Sequence, residues 1–175
     1  MLTLLASHIE RAGGSARIEL SGRDPAGSRK RPDIDALVGS ESFLIDVTIR
    51  EAFAQSYGGS LESAFEAARA AKMRTYADMA EQLGAKVVPF IVDAFGAFDE
   101  KAIDFVNQLA DFASEAIRAE SPVRLTSRIL DSISAAVQRG NARMIARGAI
   151  WNLRDFPHLR PPLQHALPAQ LLPPS

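Results

Sequence analysis

The sequence predicts an α/β fold with a mixed central sheet, flanking helices and a C-terminal helical extension. Alternating apolar and polar residues on both sides of a turn at 39–42 predict a β-hairpin. A strongly helical segment over 61–83 follows, and then an apolar strand over 86–95. Because a hairpin, a helical crossover and a further strand give antiparallel and parallel pairs, we expect the sheet to be mixed.

The N-terminal part begins with a predicted helix over 2–12, which ends at the helix-stopping pair Gly13-Gly14. A short strand is predicted over 16–20. The polar segment 21–31 contains glycine and proline, so we expect a mobile loop there. The hairpin strands are predicted at about 32–38 and 43–50.

The second half begins with a helix over 61–83, which has Ser60 as its N-cap and Gly84 after its last residue. The next strand, 86–95, is apolar on both faces, although Pro89 indicates a sheet edge or a bulge. Further helices are predicted over 99–117 and 123–151. We therefore expect one domain over 1–152, with a core at about 16–117, a helical part at 123–152, and a proline-rich, extended or disordered tail at 153–175.

The composition limits the classes of protein that fit. The chain has 175 residues, of which 47% are apolar, as expected for one globular domain with a substantial core. Cysteine is absent and only three histidines are present, so a bound metal would need oxygen ligands. The apolar stretch at 87–92 is far shorter than the roughly 20 residues of a membrane helix. No signal peptide is recognisable, so we expect an intracellular protein without membrane contacts, nuclear if eukaryotic.

The predicted hairpin places two aspartates opposite each other. Opposed residues of an antiparallel pair have a constant index sum, which for Asp33 and Asp46 is 79 and centres the turn after Gly39. We expect this face to carry chemistry and the other face to be core. Carboxylates about 5 Å apart repel, and a divalent cation bound to both is the simplest compensation. In the alternative, Asp33 caps a turn and Asp46 pairs with an arginine.

Several short motifs lie between residues 31 and 147. The dipeptide Pro32-Asp33 is followed after thirteen residues by Asp46, and further motifs occupy 71–72 with Tyr76, 88–92, 95–96 and 138–143. These motifs resemble the PD-(D/E)XK, or restriction-endonuclease-like, nucleases. The wider pattern is similar to the nuclease-like segment downstream of the reverse transcriptase in some retrotransposon polyproteins.

The resemblance implies a restriction-endonuclease-like core and hydrolysis of DNA phosphodiester bonds. It also implies that Asp33 and Asp46 bind Mg²⁺, for which Mn²⁺ could substitute. The carbonyl of Val47 is a candidate for a third oxygen ligand, because Mg²⁺ prefers oxygen donors and keeps several waters.

Thr48 occupies the position where the family pattern has its lysine. We expect Lys72 to replace that lysine from the following helix, because Arg69, Lys72 and Tyr76 share one helix face that could overhang the carboxylates. The catalytic candidates are therefore Asp33, Asp46, Thr48, Lys72 and Tyr76. In the alternative, Lys72 is an ordinary solvated lysine.

Positive charge is concentrated towards the C-terminus. Residues 121–175 contain 7 Lys/Arg and 2 Asp/Glu, against 13 and 19 in residues 1–120. Three arginines recur there every four residues, which predicts a helical stripe suited to phosphates; a solvated helix face is the alternative. The nucleic-acid-binding candidates are Arg29, Lys30, Arg31, Arg69, Arg139, Arg143 and Arg147.

These observations lead to three hypotheses. The first is a Mg²⁺-dependent DNA endonuclease of a mobile element, with DNA favoured over RNA and a homodimer left open. The second is a catalytically degenerate relative that binds nucleic acid or protein without cutting, which the missing lysine at position 48 favours. The third is an assembly module that dimerises through the C-terminal helix and tail.

Overall fold

The computed structural model describes residues 1–18, 31–50, 60–117 and 120–155, and only the backbone of 116–117 and 148–155. Most of the predicted loop at 21–31, including Arg29 and Lys30, therefore lies outside the described residues. The same holds for the predicted tail from residue 156 onwards. Residues 153–155 belong to the predicted tail, but that part of the prediction is wrong, because they form the last turn of a helix.

In the described part of the chain the elements follow one another as helix, three strands, helix, strand and two helices, in the predicted order. None of the helices in the described ranges is long and apolar enough to cross a membrane. The bounds of the helices and strands, in chain order, are α1 (Leu2–Arg11), β1 (Ser15–Ile18), β2 (Ile34–Val38), β3 (Glu41–Arg50), α2 (Leu61–Leu83), β4 (Lys86–Asp93), α3 (Glu100–Ile117) and α4 (Pro122–Asp155).

The four strands form a mixed sheet in the order β1-β2-β3-β4, which confirms the predicted α/β class. The first two pairings are antiparallel, and β3 pairs with β4 in parallel. Ile34 lies opposite Ile45 and Val38 opposite Glu41, which is the register expected for the hairpin. Pro89 belongs to β4, at one end of the strand order, so its missing N–H lies on an edge strand.

Helices cover the sheet on both faces. The larger core lies under α1, α3 and the first part of α4, and includes Ile34, Ile45 and Phe90. On the other face, α2 covers Leu44, which is 1% exposed, and Ile91, which is 0% exposed. The expectation of one core face and one chemical face is therefore wrong. Because α2 packs on β3 and β4, the face that carries Asp46 also has a core of its own.

The chain divides into two compact units. The first, Met1–Gly140, contains the sheet, α1 to α3 and the first part of α4. The second, Asn141–Ser175, contains the remainder of α4, in which Met144 and Ile145 are exposed.

The hairpin turn generates a prediction about Gly39. Its φ of 61° lies in the left-handed region, and an added Cβ would lie 3.2 Å from the Phe112 ring. Gly39→Ala should therefore lower the free energy of unfolding by about 1 kcal/mol or more. In α4, an added Cβ at Gly140 would have no atom within 4 Å, so Gly140→Ala should raise the free energy of unfolding by about 0.5–1 kcal/mol. Urea denaturation measures both changes, and equal changes in the two variants would contradict the assigned turn.

Candidate active site

The carboxylate of Asp46 is the centre of the candidate site. It lies in the middle of β3, and its side chain is only 6% exposed. Burial of an ionised carboxylate is costly unless charged or hydrogen-bonding groups compensate it. The residues that surround this carboxylate therefore determine both its stability and its chemistry.

Helix α2 supplies two of these partners. The Nζ atom of Lys72 lies 2.7 Å from Oδ2 of Asp46, and the Tyr76 hydroxyl lies 2.7 Å from Oδ1. Lys72 and Tyr76 are four residues apart, so the helix presents both on one face. A third contact comes from Thr48, whose hydroxyl donates to Oδ2 at 3.3 Å. The structure thus brings together Asp46, Thr48, Lys72 and Tyr76, and it excludes the alternative that Lys72 is only solvated.

Asp33 belongs to the same site. The ladder between β2 and β3 ends at the pair Ile34 and Ile45, and Asp33 lies just before β2, so the predicted pairing of Asp33 with Asp46 is not part of the ladder. The backbone N–H of Val47 donates to Oδ2 of Asp33 at 2.7 Å. Asp33 therefore has a structural partner on β3, fourteen positions further along the chain. The alternative that Asp33 caps a turn stays a prediction.

The positive partner of Asp46 is a lysine, so the alternative that it pairs with an arginine is wrong. The same contact changes the argument for a divalent cation. We expected a cation because two opposed carboxylates repel, but the ammonium of Lys72 already compensates the charge of Asp46. A metal is consequently not needed to explain how this carboxylate is buried, and the case for one has to come from the proposed reaction.

Tyr76 is held in its neutral form by its surroundings. Its hydroxyl lies 2.7 Å from the carbonyl oxygen of Arg31 as well as from Asp46. Burial, and then the hydrogen bond to Asp46 and the charges of Asp46 and Asp33, raise the pKa of Tyr76 well above its usual value. At neutral pH this residue therefore acts as a hydrogen-bond donor and cannot serve as a general base.

Arg69 has a different environment from the one we expected. Its guanidinium contacts Asp99 at 2.8 Å, Glu100 at 2.5 Å and Glu62 at 3.4 Å. Burial lowers the pKa of Arg69, but these carboxylates outweigh the effect and raise it. Asp99 is not among the predicted site residues; it is 1% exposed and accepts a hydrogen bond from the N–H of Lys101 in the first turn of α3. The acidic pair Asp99-Glu100 at the start of the helix was the available signal.

The other basic candidates are exposed where the structure describes them. Arg31 is exposed, and its carbonyl oxygen contacts Tyr76. In α4, Arg139 belongs to the first compact unit, and Arg143 and Arg147 belong to the second; all three are exposed. Contact with a phosphate backbone remains a prediction for each of them.

The donor atoms of the site fit a Mg²⁺ ion that retains several waters. No cluster of three or more His, Cys, Asp or Glu side chains suited to a metal occurs among the described residues, so Asp33 and Asp46 would be the side-chain ligands. A carboxylate offers about four lone-pair positions. Lys72, Thr48 and Tyr76 approach Asp46, which leaves room for a further ligand bond. One or two carboxylates with waters are the usual protein coordination of Mg²⁺.

The contact between Lys72 and Asp46 generates a prediction about stability. Lys72→Met keeps the aliphatic stem but leaves a buried carboxylate without its cation, so the free energy of unfolding should fall by about 2 kcal/mol. The matched control is Lys101→Met, which removes an exposed helical ion pair to Asp104 and should cost under about 0.5 kcal/mol. Urea denaturation of both variants measures the difference. Equal losses would show that Asp46 does not depend on Lys72.

The raised pKa of Tyr76 generates a prediction about alkaline pH. A group with a raised folded-state pKa contributes stability below its unfolded pKa, and that stability is lost as the pH rises towards the folded value. The protein has two tyrosines, Tyr57 and Tyr76, so Tyr57→Phe leaves a single reporter. In this variant the absorbance of tyrosinate should not rise near pH 10, where free tyrosine ionises. An increase near pH 10 in the folded protein would contradict the burial of Tyr76.

Neither the protein-family models, nor the curated proteins, nor the solved structures gave a match. The contacts around Asp46 therefore provide the basis for a functional proposal.

Proposed function

We propose that the protein is a metal-dependent nuclease of the PD-(D/E)XK type that hydrolyses DNA phosphodiester bonds. The observation that carries the proposal is the 2.7 Å contact between Nζ of Lys72 and Oδ2 of Asp46. The family pattern has its lysine two residues after the second acidic residue, where this chain has Thr48. Helix α2 supplies an ammonium to the same carboxylate from a different element.

The element order also supports the proposal. The resemblance implies two acidic residues on adjacent strands, with a helix and a further strand behind them. In this chain Asp33 directly precedes β2, Asp46 lies in β3, and α2 and β4 follow. The parallel pairing of β3 with β4 places α2 across the face that carries Asp46.

Hydrolysis of a phosphodiester requires a nucleophilic water and stabilisation of the negative charge that develops on the phosphoryl group. A bound Mg²⁺, held by Asp33 and Asp46, would supply a Lewis acid for a phosphoryl oxygen.

The chain's own residues would divide the remaining tasks. The ammonium of Lys72 has three N–H donors, and Asp46 needs one of them, so Lys72 can also donate to a phosphate oxygen or orient the attacking water. Tyr76 and Thr48 hold the Asp46 carboxylate in position by donating to its two oxygens. Because Tyr76 stays protonated, it orients the carboxylate and accepts no proton.

DNA would be bound by the exposed basic residues. Arg31 lies two residues before Asp33 and is exposed, which suits a contact with the phosphate backbone near the site. The α4 arginines Arg139, Arg143 and Arg147 would neutralise further phosphates. A mobile element as the source, an intracellular or nuclear location and a homodimer belong to the same proposal.

A second candidate function is that of a nucleic-acid-binding module that does not cut. It is favoured by the compensated charge of Asp46, whose close partners Lys72 and Tyr76 are both groups of the protein. Such a module would bind DNA in a salt-sensitive way with or without divalent ions.

Cleavage of supercoiled plasmid tests the proposal. The full chain with Mg²⁺ or Mn²⁺ should convert the plasmid to nicked or linear forms, and EDTA should stop the reaction. Asp46→Asn should abolish cleavage, and Lys72→Met should reduce it at least ~100-fold, the lower range for a positioned acid-base or electrostatic group. Thr48→Lys in the Lys72→Met background should restore part of the activity, because residue 48 already contacts the same carboxylate.

The control is Lys101→Met, which removes a helical lysine with a carboxylate partner outside the site and should cleave at the wild-type rate. Wild-type cleavage by Asp46→Asn would rule out the proposed site. Salt-sensitive DNA binding without metal-dependent cleavage would instead support the second candidate.

A further inference from the structure

A cavity of about 530 Å³ lies between α1, α3 and the first part of α4, within the unit Met1–Gly140. It is on the side of the sheet opposite to α2, so it is separate from the site around Asp46. Its volume falls within the roughly 300–1,000 Å³ typical of small-molecule pockets. The apolar part of its lining consists of Leu4, Ala12, Ala113, Leu125 and Ile129.

The polar residues that line the cavity include a histidine and a serine that are 124 positions apart in the chain. His8 is only 9% exposed, and its Nε2 lies 2.7 Å from the hydroxyl oxygen of Ser132. That hydroxyl donates to the carbonyl oxygen of Ile129 at 2.8 Å, so Nε2 of His8 is the donor in the first contact. The neutral imidazole is thereby anchored to α4.

Two arginines make the cavity electrically positive. Arg11 on α1 and Arg128 on α4 both line it, together with one carboxylate, Glu120. Arg128 pairs with Glu120 at 2.8 Å, whereas Arg11 has no carboxylate partner among the described residues. Burial, and then the charges of Arg11 and Arg128, lower the pKa of His8. Both arginines are exposed to solvent as well as lining the cavity.

We propose that this cavity binds a small amphipathic anion, with its apolar body against the helices and a single carboxylate beside Arg11 and Arg128. An apolar lining with a few convergent polar groups is the usual composition of a ligand site. Arg11 provides a charge that the described part of the fold does not balance. A guanidinium also suits the two oxygens of a carboxylate better than any neutral donor.

Calorimetric titration of the full chain with sodium octanoate tests this proposal. Octanoate should bind, and Arg11→Met should weaken the binding about tenfold, the usual effect of one lost charge-assisted hydrogen bond. The matched control is Arg124→Met, which removes an exposed arginine of α4 outside the cavity and should leave the affinity unchanged within about twofold. Acetate, which has the same carboxylate without the apolar chain, should bind much more weakly.

The imidazole of His8 gives a second measurement. The ionisable or charged groups that line the cavity beside it are Arg11 on α1, Arg128 on α4 and Glu120, while α3 contributes Ala113 and Ser114. A bound carboxylate would offset the two arginines, so octanoate should raise the pKa of His8 in an NMR titration, with His8→Gln identifying the signal. Octan-1-ol, which carries no charge, should leave that pKa in place.

Three results would overturn the proposal. If octanoate at roughly 10 mM produced neither heat nor a change in the pKa of His8, the cavity would not bind this ligand. Equal affinity in the wild type and Arg11→Met would show that the carboxylate does not lie at the arginine. Acetate binding as tight as octanoate would show that the apolar lining takes no part.

Discussion

The buried charge of Asp46 is the constraint on which the candidate site depends. A carboxylate that is 6% exposed in the middle of a strand requires a cation or several hydrogen-bond donors close to it. In this fold the donors Lys72 and Tyr76 both come from α2, and they reach Asp46 only if that helix crosses β3 in one orientation. The apolar contact of Leu44 with α2 and the polar contact of Asp46 thus fix the same packing.

Such an ion pair is not the most stable way to fill the space between a helix and a sheet. Replacement of a buried pair by apolar residues of similar volume is often neutral or stabilising, because both ions lose their hydration. The tight network around Asp46 therefore calls for an explanation other than stability, and chemistry at the carboxylate is the one that we propose. This reasoning distinguishes Lys72 from Lys101, whose exposed pair with Asp104 requires no such explanation.

Much of the fold could be predicted because its signals are local. Gly39 at a two-residue turn and the alternation on both sides of it determine the hairpin register, and Ser60 and Gly84 mark the ends of α2. The spacing of Lys72 and Tyr76 placed them on one helix face. That this face meets Asp46 depends on how α2 crosses between β3 and β4, which the spacing of the two residues does not fix.

Other features depend on contacts between distant segments, for which the sequence carries no local pattern. The pairing of His8 with Ser132 joins the first helix to the last one, and the three carboxylates around Arg69 come from two different helices and the residue before one of them. The core under α2 was missed for a related reason. Alternation showed which residues share a face with Asp46, but it could not show that Leu44 would be covered, although the strand that contains Ile91 is apolar on both faces.

The charges of the site indicate why a further cation belongs to the proposed reaction. Asp33 and Asp46 contribute two negative charges, and a phosphodiester at the same place would add a third. Lys72 contributes one positive charge, and Arg69 is already balanced by Asp99, Glu100 and Glu62. A single ammonium can compensate the charge of the buried Asp46 carboxylate. It cannot also offset the repulsion between the two carboxylates and an approaching phosphate. The protein partners of Asp46 thus compensate its charge in the fold, and in the proposed reaction the substrate would create the demand for a divalent ion.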